Sequence, residues 1–249
     1  MCLLCTTHGD PERELAVVEL MREQRAEAVI LVGGAWDTPT YAERTAEFAR
    51  ALAKSGSRLV LCGRPAPEEG VPAAAVQYDN EGAAYATTSY LLANGHRRIA
   101  YVGRTIGLST TDERVAGHRR ALTDGGMDFD ASLVRAGTFT RESGAALTDA
   151  LVKEHPDVTA VFAATDVVAA GVLGALRRRG VRVPEDMSVV GFDDIPLASD
   201  LTPALTTVHV PQEQLGREAV RLALHGGAEE RVMLGTHLVI RDSVAPPRS

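Results

Sequence analysis

Short apolar runs alternate with amphipathic stretches along nearly the whole chain. Residues 28–32 (Ala-Val-Ile-Leu-Val) form an unbroken apolar run closed by Gly33-Gly34, the pattern of a strand covered on both faces. Similar runs at 58–62, 74–78, 98–102, 160–163 and 187–191 predict further strands. Residues 133–135 predict a weak one, 205–210 another, and 232–233 and 237–240 close the series. A first strand is predicted over residues 1–6. Between them lie helical patterns. Asp10 is placed to cap a helix with Pro11 in its first turn, and Leu15, Val18 and Met21 recur on one face. Further helices are predicted over 38–54, 82–94, 111–123, 142–153, 166–179 and 212–224, with Gly95 and Gly180 as stops. Strands of four to six residues alternating with helices define an α/β protein with doubly wound parallel sheets. There are too many units for one small sheet, so two lobes are expected.

The 249 residues suffice for one large domain or two small ones. A net charge of -7 disfavours nucleic-acid binding through the chain's own surface, which needs a clustered basic face. No apolar stretch is long enough to span a membrane, and a cytoplasmic location is expected. Of the three cysteines, Cys2 and Cys5 stand three apart in the predicted first strand, and their side chains would face opposite ways. No second Cys/His pair completes a zinc site, so all three are read as buried reduced thiols. No metal or cofactor is expected.

Catalytic signatures are absent. There is no phosphate-cradling glycine loop followed by Lys, no Gly-x-Ser-x-Gly turn and no helical pair of metal-binding histidines. An enzyme is therefore not expected. The run Arg177-Arg178-Arg179 ends a helix, where it complements the dipole and stays solvated.

In doubly wound folds ligands bind beyond the carboxyl ends of the strands. Arg114, Phe139, Thr165, Asp166, Asp193 and Asp194 all follow apolar runs, and together offer a guanidinium, carboxylates and an aromatic face. Such a set holds a polar, hydroxylated ring. Each also has a plainer reading: Asp166 as a helix-start residue, Phe139 as core, Asp194 as a cap of the turn around Pro196, Arg114 as a surface arginine.

Five blocks resemble the effector-binding region of the LacI/GalR family of transcription regulators. They are residues 174–194 (ending Met-Ser-Val-Val-Gly-Phe-Asp-Asp), 95–100 (Gly-His-Arg-Arg-Ile-Ala), 113–117 (Glu-Arg-Val-Ala-Gly), 203–208 and 238–245. The resemblance implies two periplasmic-binding-protein-like lobes joined by three crossings, near Asn80, Val208 and Thr236. Residues 1–80 and 208–235 would form the N-terminal lobe; 81–207 and 236–249 would form the C-terminal lobe. A small-molecule effector, a sugar or related polar metabolite, would sit between the lobes and shift a homodimer that presents DNA-binding heads.

By the same resemblance Arg114, Phe139 and Asp193 fall at effector-contacting positions. Thr165-Asp166 stands where the family usually has Asn-Asp, and Gly63 where many members have Asp. Trp36, after the 28–32 strand, is a further stacking candidate. Met1 stands at what resembles the family's second strand, which implies a truncated first lobe lacking its first strand and helix, no DNA-binding head, and no operator binding by the chain itself. A stand-alone solute-binding protein of the same fold is the alternative.

Overall fold

The computed structural model describes residues 2–227 and 229–248. In chain order the elements begin with α1 (Pro11–Glu23), β1 (Ala28–Val32), α2 (Pro39–Lys54), β2 (Arg58–Cys62), β3 (Ala73–Tyr78) and α3 (Asn80–Ala93). They continue with β4 (Ile99–Arg104), α4 (Ser109–Asp124), β5 (Val134–Ala136), α5 (Arg141–Glu154), β6 (Ala160–Ala163) and α6 (Asp166–Arg178). The last are β7 (Ser188–Val190), α7 (Leu197–Asp200), β8 (Thr207–His209), α8 (Gln212–His225), β9 (Arg231–Leu234) and β10 (His237–Val239). The chain divides into two compact units. The first holds the residues up to Tyr78, 107–110 and 211–234; the second holds 79–106, 111–210 and 235–249.

In the first unit four parallel strands run in the order β1-β2-β3-β9. The strand period of two decides what each face carries. Leu59 and Leu61 of β2 pack with Val18, Leu31, Leu52 and Ala75 on one side. Val60 and Cys62 pack with Val76, Leu215, Ala219 and Leu222 on the other, beneath α8. The helix starts follow capping chemistry: the Asp10 carboxylate accepts from the Glu12 and Arg13 amides, and the Thr38 hydroxyl accepts from the Tyr41 amide. A buried ionic group ties α1, α2 and the sheet together. Arg64, 2% exposed, donates to both Glu14 carboxylate oxygens, to the Tyr41 hydroxyl and to the Val32 and Gly33 carbonyls.

The strand expected over residues 1–6 is not formed; Met1 lies outside the described residues, and 2–6 carry no regular structure. An extended segment becomes a strand only through a neighbour's hydrogen-bond ladder. No described edge supplies one here, and Leu4 remains 95% exposed. Cys2 and Cys5 are accordingly exposed, against the expectation of burial, and only Cys62 is buried.

In the second unit the parallel sheet runs β5-β4-β6-β7. β8 continues it past β7 through bridges Val190↔Thr206 and Asp193↔His209, and pairs antiparallel with β10. The strand expected over 205–210 thus keeps regular pairing only at Thr207–His209, and α7 had no clear sequence signal. Helices α5 and α6 approach backbone to backbone at Gly144 and Gly171. Arg178 and Arg179 bind Asp149 across this pair, so two of the three consecutive arginines form exposed ion pairs.

Candidate functional site

The carboxyl ends of β4, β6 and β7 gather most of the polar residues singled out from the sequence. Arg114, on α4, is 3% exposed although it carries a permanent charge. Its Nε donates to Asn80 Oδ1 at 2.8 Å, and its Nη1 to the Ala164 carbonyl just past β6 at 2.5 Å. The guanidinium carbon lies 3.6 Å from the centroid of the Phe192 ring. Hydrogen bonds in the plane and an aromatic face below it are what a guanidinium needs away from water. Asp193 Oδ1 stands 3.6 Å from Nη2, close enough for charge attraction and too far for a hydrogen bond.

The segment after β7 is bent into this position by unusual backbone. Asp193 and Asp194 both have positive φ, 108° and 53°. Only the second lies in the left-handed region that Asp tolerates readily. The Asp193 amide donates to the Val208 carbonyl at 2.9 Å, which anchors the strained residue to β8. Burial pushes the Asp193 carboxyl up to about 6, against the opposing pull of Arg114.

Asp166 and Thr165 sit behind these groups. The Thr165 hydroxyl caps α6 by accepting from the Val168 amide at 3.2 Å. Asp166 is fully buried; its two oxygens accept from the Thr207 hydroxyl at 2.6 Å and from the Ile195 amide at 3.0 Å. Burial lifts its carboxyl to about 7, with Asp193 and Asp194 adding to the rise and the two hydrogen bonds opposing it. Asp166 therefore fastens α6 to β8 and the loop after β7. That work exceeds the simple helix-start role the sequence also allowed.

Asp194 does not cap the turn around Pro196, since α7 begins without a side-chain cap. Its carboxylate binds Arg241 at 2.6 Å and His209 Nδ1 at 2.9 Å. Burial alone would raise the Asp194 carboxyl, and these two hydrogen bonds outweigh it and hold it below the usual range. Phe139 lies in the loop before α5 and is 38% exposed, which rules out the core reading. Trp36 belongs to the other unit, where its indole Nε1 donates to the Gly9 carbonyl at 3.1 Å.

Two groups were missed from the sequence. Asn80 opens α3 and is 4% exposed; Phe192 is the aromatic seat of Arg114. Asn80 follows the β3 run, so the strand-end rule that selected the others could have found it. Phe192 reads as one more apolar core residue, and nothing in the sequence marks its partner.

The periplasmic binding protein-like domain family matches residues 88–244. The HTH-type transcriptional regulator CelR of Thermobifida fusca is 42% identical over 200 residues, 77% of this chain and 58% of that protein. The solved structure of the transcriptional regulator CelR-cellobiose complex superposes with a TM-score of 0.79 at 36% identity, covering 94% of this chain and 69% of that one. A LacI family transcriptional regulator from Silicibacter pomeroyi gives 0.81 at 31% identity, over 97% and 87%. Fold and match together define a periplasmic-binding-protein-like α/β protein. The chain belongs to the LacI family of transcriptional regulators. It spans somewhat over half the length of its CelR relative, 58%. No helix among the described residues is long and apolar enough to cross a membrane.

Proposed function

We propose that this chain is the effector-sensing region of a transcriptional regulator and that it binds a sugar or a related small polar metabolite. The observation that carries the reading is the Arg114–Asp193 pair. A fixed guanidinium stands 3.6 Å from a carboxylate, a donor beside an acceptor, in the arrangement that a sugar hydroxyl uses when it accepts from one and donates to the other. Phe139 adds an exposed ring for stacking against the apolar face of a pyranose. Thr165 and Asp166, whose oxygens are already bonded, support the floor.

The structurally similar CelR regulator was solved as a complex with cellobiose, which makes that disaccharide the first probe. The chain acts by binding, without turnover, and works in the cytoplasm as a homodimer. In the whole protein, operator DNA is met by a part outside these 249 residues. Titration calorimetry with cellobiose, followed by a thermal-shift screen of sugars, nucleosides and purines, tests the reading; a native-state ligand raises the melting temperature. Arg114→Ala is expected to weaken binding by at least about 100-fold, the loss of charged hydrogen bonds in a dry site. Unchanged affinity in a folded Arg114→Ala variant would remove Arg114 from the site.

A further inference from the structure

Arg114 is held from three directions, and one of them has a choice of orientation built into it. The Ala164 carbonyl and the Phe192 ring can each meet the guanidinium in only one way. The Asn80 side chain could present either its carbonyl or its NH2. Only the carbonyl can accept from Arg114 Nε; the NH2 would set donor against donor. The choice is made by Glu113, whose Oε2 accepts from Asn80 Nδ2 at 3.0 Å. With the NH2 committed to Glu113, Oδ1 must face Arg114, where it accepts at 2.8 Å.

Glu113 and Arg114 are sequence neighbours on α4, and both reach the same amide at the start of α3. The Asp79 carboxylate caps α3 by accepting from the Gly82 amide at 2.7 Å, which fixes the backbone that carries Asn80.

We propose that Asn80 is a positioning residue, oriented by Glu113, that sets the plane of the Arg114 guanidinium for the effector. Neither Asn80 nor Glu113 touches the effector. The proposal rests on the reading of Arg114 as an effector contact, and its test has an arm that does not. In the 249-residue chain the Arg114 Nε–H proton should be observable by 15N NMR and protected from solvent exchange. Asn80→Leu keeps the branched outline of the side chain and removes both the acceptor for Arg114 and the donor to Glu113. It should speed exchange of that proton by at least about tenfold and weaken cellobiose binding by about tenfold or more, while circular dichroism stays unchanged.

Asn80→Asp alone sets a carboxylate against Glu113 and should also impair both readouts. The exchange N80D/E113Q reverses the polarity. Asp at 80 accepts from Arg114, and Gln at 113 donates to it. Protection and affinity should return to within about threefold of the wild type, a recovery of most of the lost hydrogen-bond energy. A loss of packing alone would not be restored by that double exchange. An unchanged Nε–H in Asn80→Leu, or a double variant no better than Asn80→Asp, overturns the proposal. Normal protection and rescue without cellobiose affinity in any variant would uphold the positioning role and reject cellobiose as effector.

Discussion

At the scale of single residues the second unit concentrates carboxylates where burial works against their charge. Asp166 shows the consequence for stability. Its carboxyl rises from an ordinary value near 3.8 to about 7 in the folded chain. The folded state therefore keeps a proton that the unfolded state has lost between those two values. Stability from this group is full below about pH 4 and is lost as pH rises toward 7. Asp166→Asn keeps the size, can accept from the Ile195 amide and can donate to Thr207, and it cannot ionise. Denaturant titrations from pH 5 to pH 7 should show the variant gaining on the wild type by on the order of 2 kcal/mol, at about 1.4 kcal/mol per unit. A stability difference that is flat across that range would show that Asp166 is ionised throughout.

Among the elements, helix pair α5/α6 carries a close approach that the sequence states only as two glycines. A Cβ on Gly171 would fall far inside contact with the Arg141 carbonyl oxygen and 2.9 Å from the Ala145 nitrogen, both backbone atoms that cannot turn aside. The opposing effect is propensity, which favours Ala over Gly within a helix by about 1 kcal/mol. Overpacking against backbone outweighs it, at about 1–3 kcal/mol. Gly171→Ala should thus lower the melting temperature by several degrees. Gly174→Ala, one turn on, meets only the Arg178 side chain at 3.7 Å and should raise it slightly. Calorimetry on the two variants checks the sign of each.

The same comparison separates what the sequence disclosed from what it hid. Apolar runs and boundary residues such as Asp10, Gly95 and Gly180 are local signals, and the elements they mark formed within a few residues. Residues 2–6 carry an equally good local signal and formed nothing, because a strand depends on a partner and no described edge pairs with them. Arg114 and Asp193 stood out through type and position, and the structure brings them together. Asn80, just past the β3 run, lay within reach of the strand-end rule; Glu113 and Phe192 escaped notice because their importance lies in what they touch, which only tertiary contact decides.

For the whole molecule the two units differ in how their sheets end. In the second, β4 and β6 are flanked on both sides, and their residues from Ile99 to Val102 and Ala160 to Ala163 are essentially inaccessible. In the first, β1 pairs only with β2 among the described residues, and Val32 at its end is 71% exposed. Hydrogen exchange should find the β4 and β6 amides among the last to exchange. Outward-facing β1 amides should exchange orders of magnitude sooner, since they open without global unfolding. Equal protection in β1 would mean that its outer side is covered in solution.

That edge has a bearing on how the protein behaves in a tube. Natural sheets guard their margins with lysine, proline or a bulge. β1 offers Ala-Val-Ile-Leu-Val with none of these. Concentrated samples of these 249 residues alone therefore carry a ready template for edge-to-edge association. A charged residue introduced at Val32, the exposed end of the strand, is the natural place to keep the chain dispersed.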